Sequence, residues 1–229
     1  VLAGVLLIVA AWECVLLLQW LDGRWGTSPG SDFPWLRDVG RRWLDTGSFY
    51  LPSQLAGPYE IVKMRDVLYP PTALYLFVPF VWLPAILWWI IPLGTLGYAF
   101  RRWRPTAWTW PLLAFGLVWP QTQGAILLGS TDMWIAAAIA GGFLWGWPAA
   151  IVALKPSFLP LALAGAPRRL WWAGWAVMAL ISLPLLPLWA DYLVTLRNSG
   201  IPWTYSLLNL PLPLMPVMAW AGRTRERRA

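Results

Sequence analysis

Apolar runs of membrane-spanning length recur along this chain, and prolines keep interrupting them. About 20 apolar residues cross the roughly 30 Å of bilayer hydrocarbon at 1.5 Å per helical residue. Runs at 1–21, 69–83, 85–100, 108–119, 132–145, 148–165, 170–188 and 207–222 give about eight crossings, some of them short. The pattern predicts an all-α, polytopic transmembrane helical bundle whose core is shared with lipid. Residues 1–21 are expected to be a span, having no basic leader and no small-residue cleavage site. Prolines at 211, 213 and 216 predict a kink in the last span. Segment 120–131, richer in Gly, Gln, Ser and Thr, is expected to be re-entrant or to line a cavity.

Charge placement sets the expected topology. If 22–68 is external, Arg168-Arg169 and the basic tail 223–228 fall inside, as the positive-inside rule asks. Segment 191–206 then forms a second external loop on the same face as the first. The cluster Arg101, Arg102 and Arg104 falls outside, against the rule. The whole of 1–229 is expected to be one integral-membrane domain.

Only 12% of the 229 residues are charged, where a soluble domain of this size carries about 25%. The 21 tryptophans gather near the ends of apolar runs, at positions such as Trp20, Trp103, Trp108 and Trp147, as an interfacial belt would require. The net charge of +7 sits in short clusters between runs, which points to topology signals and lipid-phosphate contacts and to no nucleic-acid partner. The single cysteine, Cys14, forms no internal disulfide. The absence of histidine excludes His-ligated metal sites and His general bases, so any acid–base chemistry falls to carboxylates, Lys, Tyr or the backbone.

One segment departs from the greasy background. SDFPWLRDVGRRWLDTGSFY, residues 31–50, places three carboxylates and three arginines in twenty residues. Asp32-Phe33-Pro34 is a helix start with Asp as N-cap and Pro in the first turn. Gly47 is a helix end. Trp35, Leu36, Val39 and Trp43 recur at helical spacing between charged positions, which predicts an amphipathic helix lying flat in the interface. Arginines contacting lipid and tryptophans anchoring the helix explain much of this. They do not explain nearly fifty residues where a turn would connect two spans.

The ordered features carry a resemblance. One span is followed by an external loop with Asp32-Phe33 near its start, then Leu44-x-x-Gly47-x-x-Tyr50, then Tyr69-Pro70-Pro71. Next come Pro79 and Leu83-Pro84, later Ala153-Leu154-Lys155-Pro156 before a basic loop, and finally Asp191-Tyr192-Leu193. The arrangement resembles the GT-C superfamily of membrane glycosyltransferases, and most closely the polyprenyl-phosphate-mannose-dependent α-mannosyltransferases of family 87. Two departures stand out. Where the family carries a Gly-Gln-x-Asn type motif, this chain has Gly129-Ser130-Thr131-Asp132. Family members are also longer, so the resemblance implies a chain lacking C-terminal helices.

The resemblance implies an enzyme of a bacterial-type cytoplasmic (inner) membrane. It would move mannose or another hexose from a polyprenyl-phosphate donor to a lipid or glycan acceptor on the external face, with inversion. No cofactor or metal is implied; the partners are membrane lipids, the lipid-linked sugar and the acceptor. The catalytic Asp of the family matches Asp32, whose capping and basic roles are compatible. Asp22, Asp38 and Asp45 are alternatives. Arg37, Arg41, Arg42, Lys63, Arg65 and Lys155 are candidates for the departing phosphate, with Tyr69 at the same site. A lysine within an apolar run is costly, by roughly 3 kcal/mol, so Lys155 should face the bundle interior or snorkel. Asp132, at a helix start, is expected to be an N-cap. Asp191-Tyr192 is placed to help close the cleft. The competing expectation is a non-catalytic membrane protein, a transporter or scaffold subunit, although no internal repeat supports a transporter.

Overall fold

The computed structural model describes residues 4–5, 8, 11–12, 15, 29–62, 64–201 and 208–224. Its helices are α1 (Asp32–Thr46), α2 (Pro52–Leu55), α3 (Leu74–Phe77), α4 (Leu87–Trp103), α5 (Trp110–Val118), α6 (Pro120–Leu128), α7 (Asp132–Trp145), α8 (Arg169–Ser182), α9 (Leu186–Ser199) and α10 (Pro211–Ala221). Short 3-10 segments lie between them, the longest being Trp147–Leu154 and Pro156–Leu163. Among the described residues the only sheet-type pairing is an isolated antiparallel bridge between Pro105 and Arg223.

The described residues are helical, as expected, but the expected bundle of about eight spans is not what forms. Among the described residues one helix, Arg169–Ser199, is long and apolar enough to cross a membrane; the bent pair Pro120–Leu128 and Asp132–Trp145 makes a second if counted as one broken span. Proline is the physical reason. It removes a backbone donor and clashes with the preceding turn, and it cuts the run at 69–83 into Pro71–Ala73, Leu74–Phe77 and Val78–Val81. The run at 148–165 becomes two 3-10 segments that part at Lys155-Pro156. The 17-residue α4 rises about 25 Å, short of the hydrocarbon thickness. Most of the first apolar run, 1–21, lies outside the described residues.

Arg169–Ser199 joins α8 and α9 through the 3-10 turn Leu183–Leu185. Only 11% of its most apolar window is buried. Trp172, Val177, Leu180, Leu183 and Leu186 are all exposed along it. This corrects the expected second loop at 191–206. No breaker intervenes before Gly200, whose φ of +61° ends the helix, so the chain stays helical through Ser199. Residues 202–207 lie outside the described residues.

The expected amphipathic helix is present as α1, and Gly47 ends it at φ +73° with its N–H on the Trp43 carbonyl. Its apolar face packs on protein. Phe33, Leu36 and Val39 are buried, and α1 rests on the Val78–Val81 segment. Gly40 permits the approach: a Cβ there would stand 3.2 Å from the Phe77 carbonyl. Ser31, not Asp32, is the N-cap, and it makes no side-chain capping bond.

α7 is the centre of the molecule. Met133, Ile135, Ala136, Ile139 and Ala140 are buried, and α4, α10 and the Trp147–Leu154 segment all pack on it. Its small residues allow close backbone approach, as at Gly142, where a Cβ would lie 2.7 Å from the Ala164 carbonyl oxygen.

Candidate functional site

The start of α1 and the start of α7 are brought together by a tryptophan lock. Trp88 and Trp89, in the first turn of α4, donate their indole N–H groups to the carbonyls of Gly129 (2.7 Å) and Ile126 (2.9 Å) at the end of α6. Gly129 ends α6 at φ +80°, and a Cβ at this position would stand 2.6 Å from Trp89 Cζ2. Phe33 of α1 packs against both indoles, with ring centroids 5.5 and 5.7 Å away. The Gly30 N–H completes the lock on the Leu127 carbonyl at 2.8 Å. Asp32 is thereby fixed beside the Gly129–Asp132 turn.

These elements enclose a cavity of about 780 Å³, within the ~300–1,000 Å³ usual for small-molecule sites. Asp32, Asp66, Tyr69, Asp132 and Lys155 line it. Its apolar wall includes Ile61, Met64, Leu128, Leu154, Leu196 and Ile201. The expectation that 120–131 lines a cavity holds for Pro120, Gln121, Gly124, Ala125, Leu128 and Ser130.

Lys155 sits between the two 3-10 segments with an extended backbone, φ −130° and ψ 91°. Its ammonium meets Asp132 Oδ1 at 2.6 Å, with the side chains 14% and 2% exposed. The Ser130 hydroxyl donates to the other Asp132 oxygen at 3.1 Å. Asp132 is therefore the anchor of the lysine, not the simple N-cap expected for it. Two sequence signals point to this pairing: both residues interrupt apolar stretches, and a buried cation requires an anion.

Tyr69 spans the two halves of the site. Its hydroxyl shares a 2.8 Å hydrogen bond with Thr131 Oγ1, and its carbonyl accepts from the Tyr50 hydroxyl at 2.8 Å. The Lys155 ammonium lies 6.0 Å from its ring centre. Burial pushes the Tyr69 phenol above its ordinary range. Lys155 and the Thr131 bond act downward without overcoming it, and Asp132 and Asp32 add to the upward push.

Asp66 has a different environment. It accepts from the Arg65 Nε at 2.8 Å and from the Val62 N–H at 2.8 Å. Burial opposes its ionisation, but those two donors outweigh burial and hold the carboxyl below its ordinary range.

The sequence candidates divide accordingly. Asp32, Lys155 and Tyr69 line one cavity, and Tyr192 of the second polar segment joins them. Arg37, Arg41, Arg42 and Arg65 are not among its lining residues. Arg37 lies over the Phe33 ring at 5.8 Å, and Arg41 is exposed. Arg42 donates to the Phe49 carbonyl at 2.6 Å and closes the turn after α1. Arg65 spends its guanidinium on Asp66. Lys63 and Asp22 lie outside the described residues; Asp38 and Asp45 are exposed on α1. Among the described residues no group of three or more Cys, Asp or Glu side chains is gathered to hold a metal ion.

The first polar segment also clasps the end of α9. The Asn198 side-chain amide donates to the Gln54 carbonyl at 2.9 Å, and the Tyr59 N–H donates to the Asn198 carbonyl at 3.2 Å. Tyr192 and Leu196 of the same helix line the cavity.

A scan against protein-family models gave no matching family, and searches of curated proteins and of solved structures gave no match.

Proposed function

We propose that this cavity transfers a sugar, mannose or another hexose, from a polyprenyl-phosphate donor to a hydroxyl of a lipid or glycan acceptor. One observation carries the reading. Asp32, expected from the sequence as the base, and Lys155, one of six candidate phosphate ligands, are far apart in the chain and line the same cavity.

The chemistry follows from their types. The acceptor oxygen attacks the anomeric carbon from the face opposite the phosphate, and the bond from that carbon to the phosphate oxygen breaks. The electron pair leaves with the phosphate, and Asp32 takes the acceptor proton. Lys155 stabilises the phosphate charge that develops. An ammonium carries three N–H donors, so its bond to Asp132 does not exclude a phosphate contact. The apolar wall formed by Ile61, Met64, Leu196 and Ile201 suits the first units of a polyprenyl chain.

The proposed location is a bacterial-type cytoplasmic membrane, crossed by Arg169–Ser199. The exposure of that helix supports this, because a core helix of equal hydropathy would be mostly buried. The test is transfer of radiolabelled sugar from polyprenyl-phosphate donors into membrane lipid or glycan by membranes containing this protein. Label should move with the parent protein and not with control membranes. Equal transfer from both, across mannose and other hexose donors, would remove the reading.

A further inference from the structure

Tyr192 is 6% exposed and lines the cavity that Lys155 lines. Its hydroxyl makes no hydrogen bond to a described residue. A buried tyrosine hydroxyl ordinarily finds a partner. The Trp35 indole N–H and the Gln121 side-chain carbonyl oxygen belong to residues of the same wall, and both are closed off from solvent without a partner. These groups come from α9, α1 and α6, and none carries a charge. We propose, resting on the sugar-phosphate reading of this cavity, that they bind the hydroxyls of the donor's sugar. Tyr192 is then the residue that distinguishes a sugar-loaded lipid phosphate from a bare one.

Ring contacts fix the Tyr192 hydroxyl in place. Tyr192 stacks on Tyr50, with centroids 6.4 Å apart and planes inclined at 25°, and Trp189 meets it edge-on at 5.7 Å. Tyr50 is itself fastened by its hydroxyl, which donates to the Tyr69 carbonyl at 2.8 Å. Trp35 packs against the Tyr69 ring at 6.3 Å, and the Lys155 ammonium lies 6.0 Å from the same ring. A line of contacts therefore runs from Lys155 through Tyr69 and Tyr50 to Tyr192. The sugar is the part of the donor that lies next to the phosphate.

The chemistry of the groups suits a polyol. A sugar hydroxyl both donates and accepts; a tyrosine hydroxyl does both, an indole N–H donates and a carboxamide oxygen accepts. Neutral groups meet hydroxyls without the desolvation cost of a further buried charge. A ligand without those hydroxyls leaves the wall unpaired, and a polar pocket gains its selectivity from that penalty.

The test uses the full chain in detergent and measures, by calorimetry, binding of farnesyl phosphate, farnesyl phosphomannose and farnesyl phosphoglucose. The parent should bind a sugar-loaded donor more tightly than farnesyl phosphate. Tyr192→Phe keeps the ring contacts and removes the hydroxyl. It should weaken the sugar-loaded donor roughly three- to tenfold, the share of one neutral hydrogen bond, and leave farnesyl phosphate unchanged. Tyr98→Phe, at an exposed tyrosine away from this wall, is the control and should change neither. Donors with one sugar hydroxyl removed supply a second measurement. For the hydroxyl that meets Tyr192, its removal and Tyr192→Phe should together cost no more than either alone. Equal weakening of both ligands by Tyr192→Phe, or parent affinity for both, overturns the subsite. So does a parent that gains no affinity from the sugar. Sugar-dependent binding that Tyr192→Phe weakens, without transfer by the parent, removes the transfer reading and keeps the subsite.

Discussion

The Lys155 ammonium lies 2.6 Å from the Asp132 carboxylate, and both side chains face the cavity that Asp32 lines. Removing one partner leaves the other charged in a poorly solvated place. Lys155→Met should therefore destabilise the protein by about 3–5 kcal/mol, the cost of an orphaned buried charge. Adding Asp132→Leu should restore most of that stability without restoring donor affinity. Thermal unfolding in detergent, read beside donor binding, separates the two effects. A double variant no more stable than the single one would show that the pair does not set the stability of this wall.

Gly129 tests the tryptophan lock. Its φ of +80° strains any L side chain, and a Cβ would collide with Trp89. Gly129→Ala should cost at least about 1 kcal/mol from backbone conformation alone, with more from the collision. Trp89→Leu in the same chain should recover only the collision part. Thermal unfolding of the three variants checks this, and an unchanged melting temperature for Gly129→Ala contradicts it.

Asp66 predicts an acid limb. Its carboxyl is held below the ordinary range in the folded state, so the folded protein binds its proton less readily than the unfolded chain. The resulting stability is complete above the unfolded pKa, about 4, and is lost as pH falls through the folded value. Asp66→Asn should be less stable than the parent at neutral pH, and the difference should shrink on acidification below about pH 4. A constant difference in melting temperature between pH 7 and pH 3 would contradict the assignment.

The contact between Asn198 and Gln54 places the first polar segment beside the end of α9. In a Cys14→Ser background, cysteines at Ser53 and Ser199 should both react with an impermeant thiol reagent from the same side of sealed vesicles. Labelling from opposite sides would separate the two segments and open the cavity.

Local signals in the sequence were legible where one residue decides the outcome. The helix from Asp32 ending at Gly47 follows from composition and a glycine stop, and the need of Lys155 for an interior partner follows from the cost of burying its charge. What failed was the translation of apolar runs into spans. Hydropathy does not record that Pro79, Pro148, Pro156 and Pro160 turn apolar sequence into 3-10 segments of four to eight residues. Trp103, expected in an interfacial belt, is buried against Phe143, because tertiary packing and interface anchoring favour the same side chain. Within the first polar segment, local bonds occupy two of the candidate cations. Arg42 and Arg65 hold turns and carboxylates of their own segment, and sequence alone does not distinguish such local bonds from ligand contacts. Asp132 was missed as a partner because its place at a helix start already supplied an explanation.

The most direct measurement of the account is the turnover of Asp32→Asn with a polyprenyl-phosphate sugar as donor. Asp32 occupies the first turn of α1, where Ser31 is the N-cap, and Asn keeps its shape and a side-chain oxygen acceptor, so folding should survive. Turnover should fall by roughly 10²–10⁴-fold, the share usual for a general base, while donor affinity, carried by Lys155, stays near that of the parent. Asp38→Asn and Asp45→Asn, on the exposed face of α1, should retain most activity. Transfer by Asp32→Asn at the parent rate would contradict the assignment of Asp32 as the base.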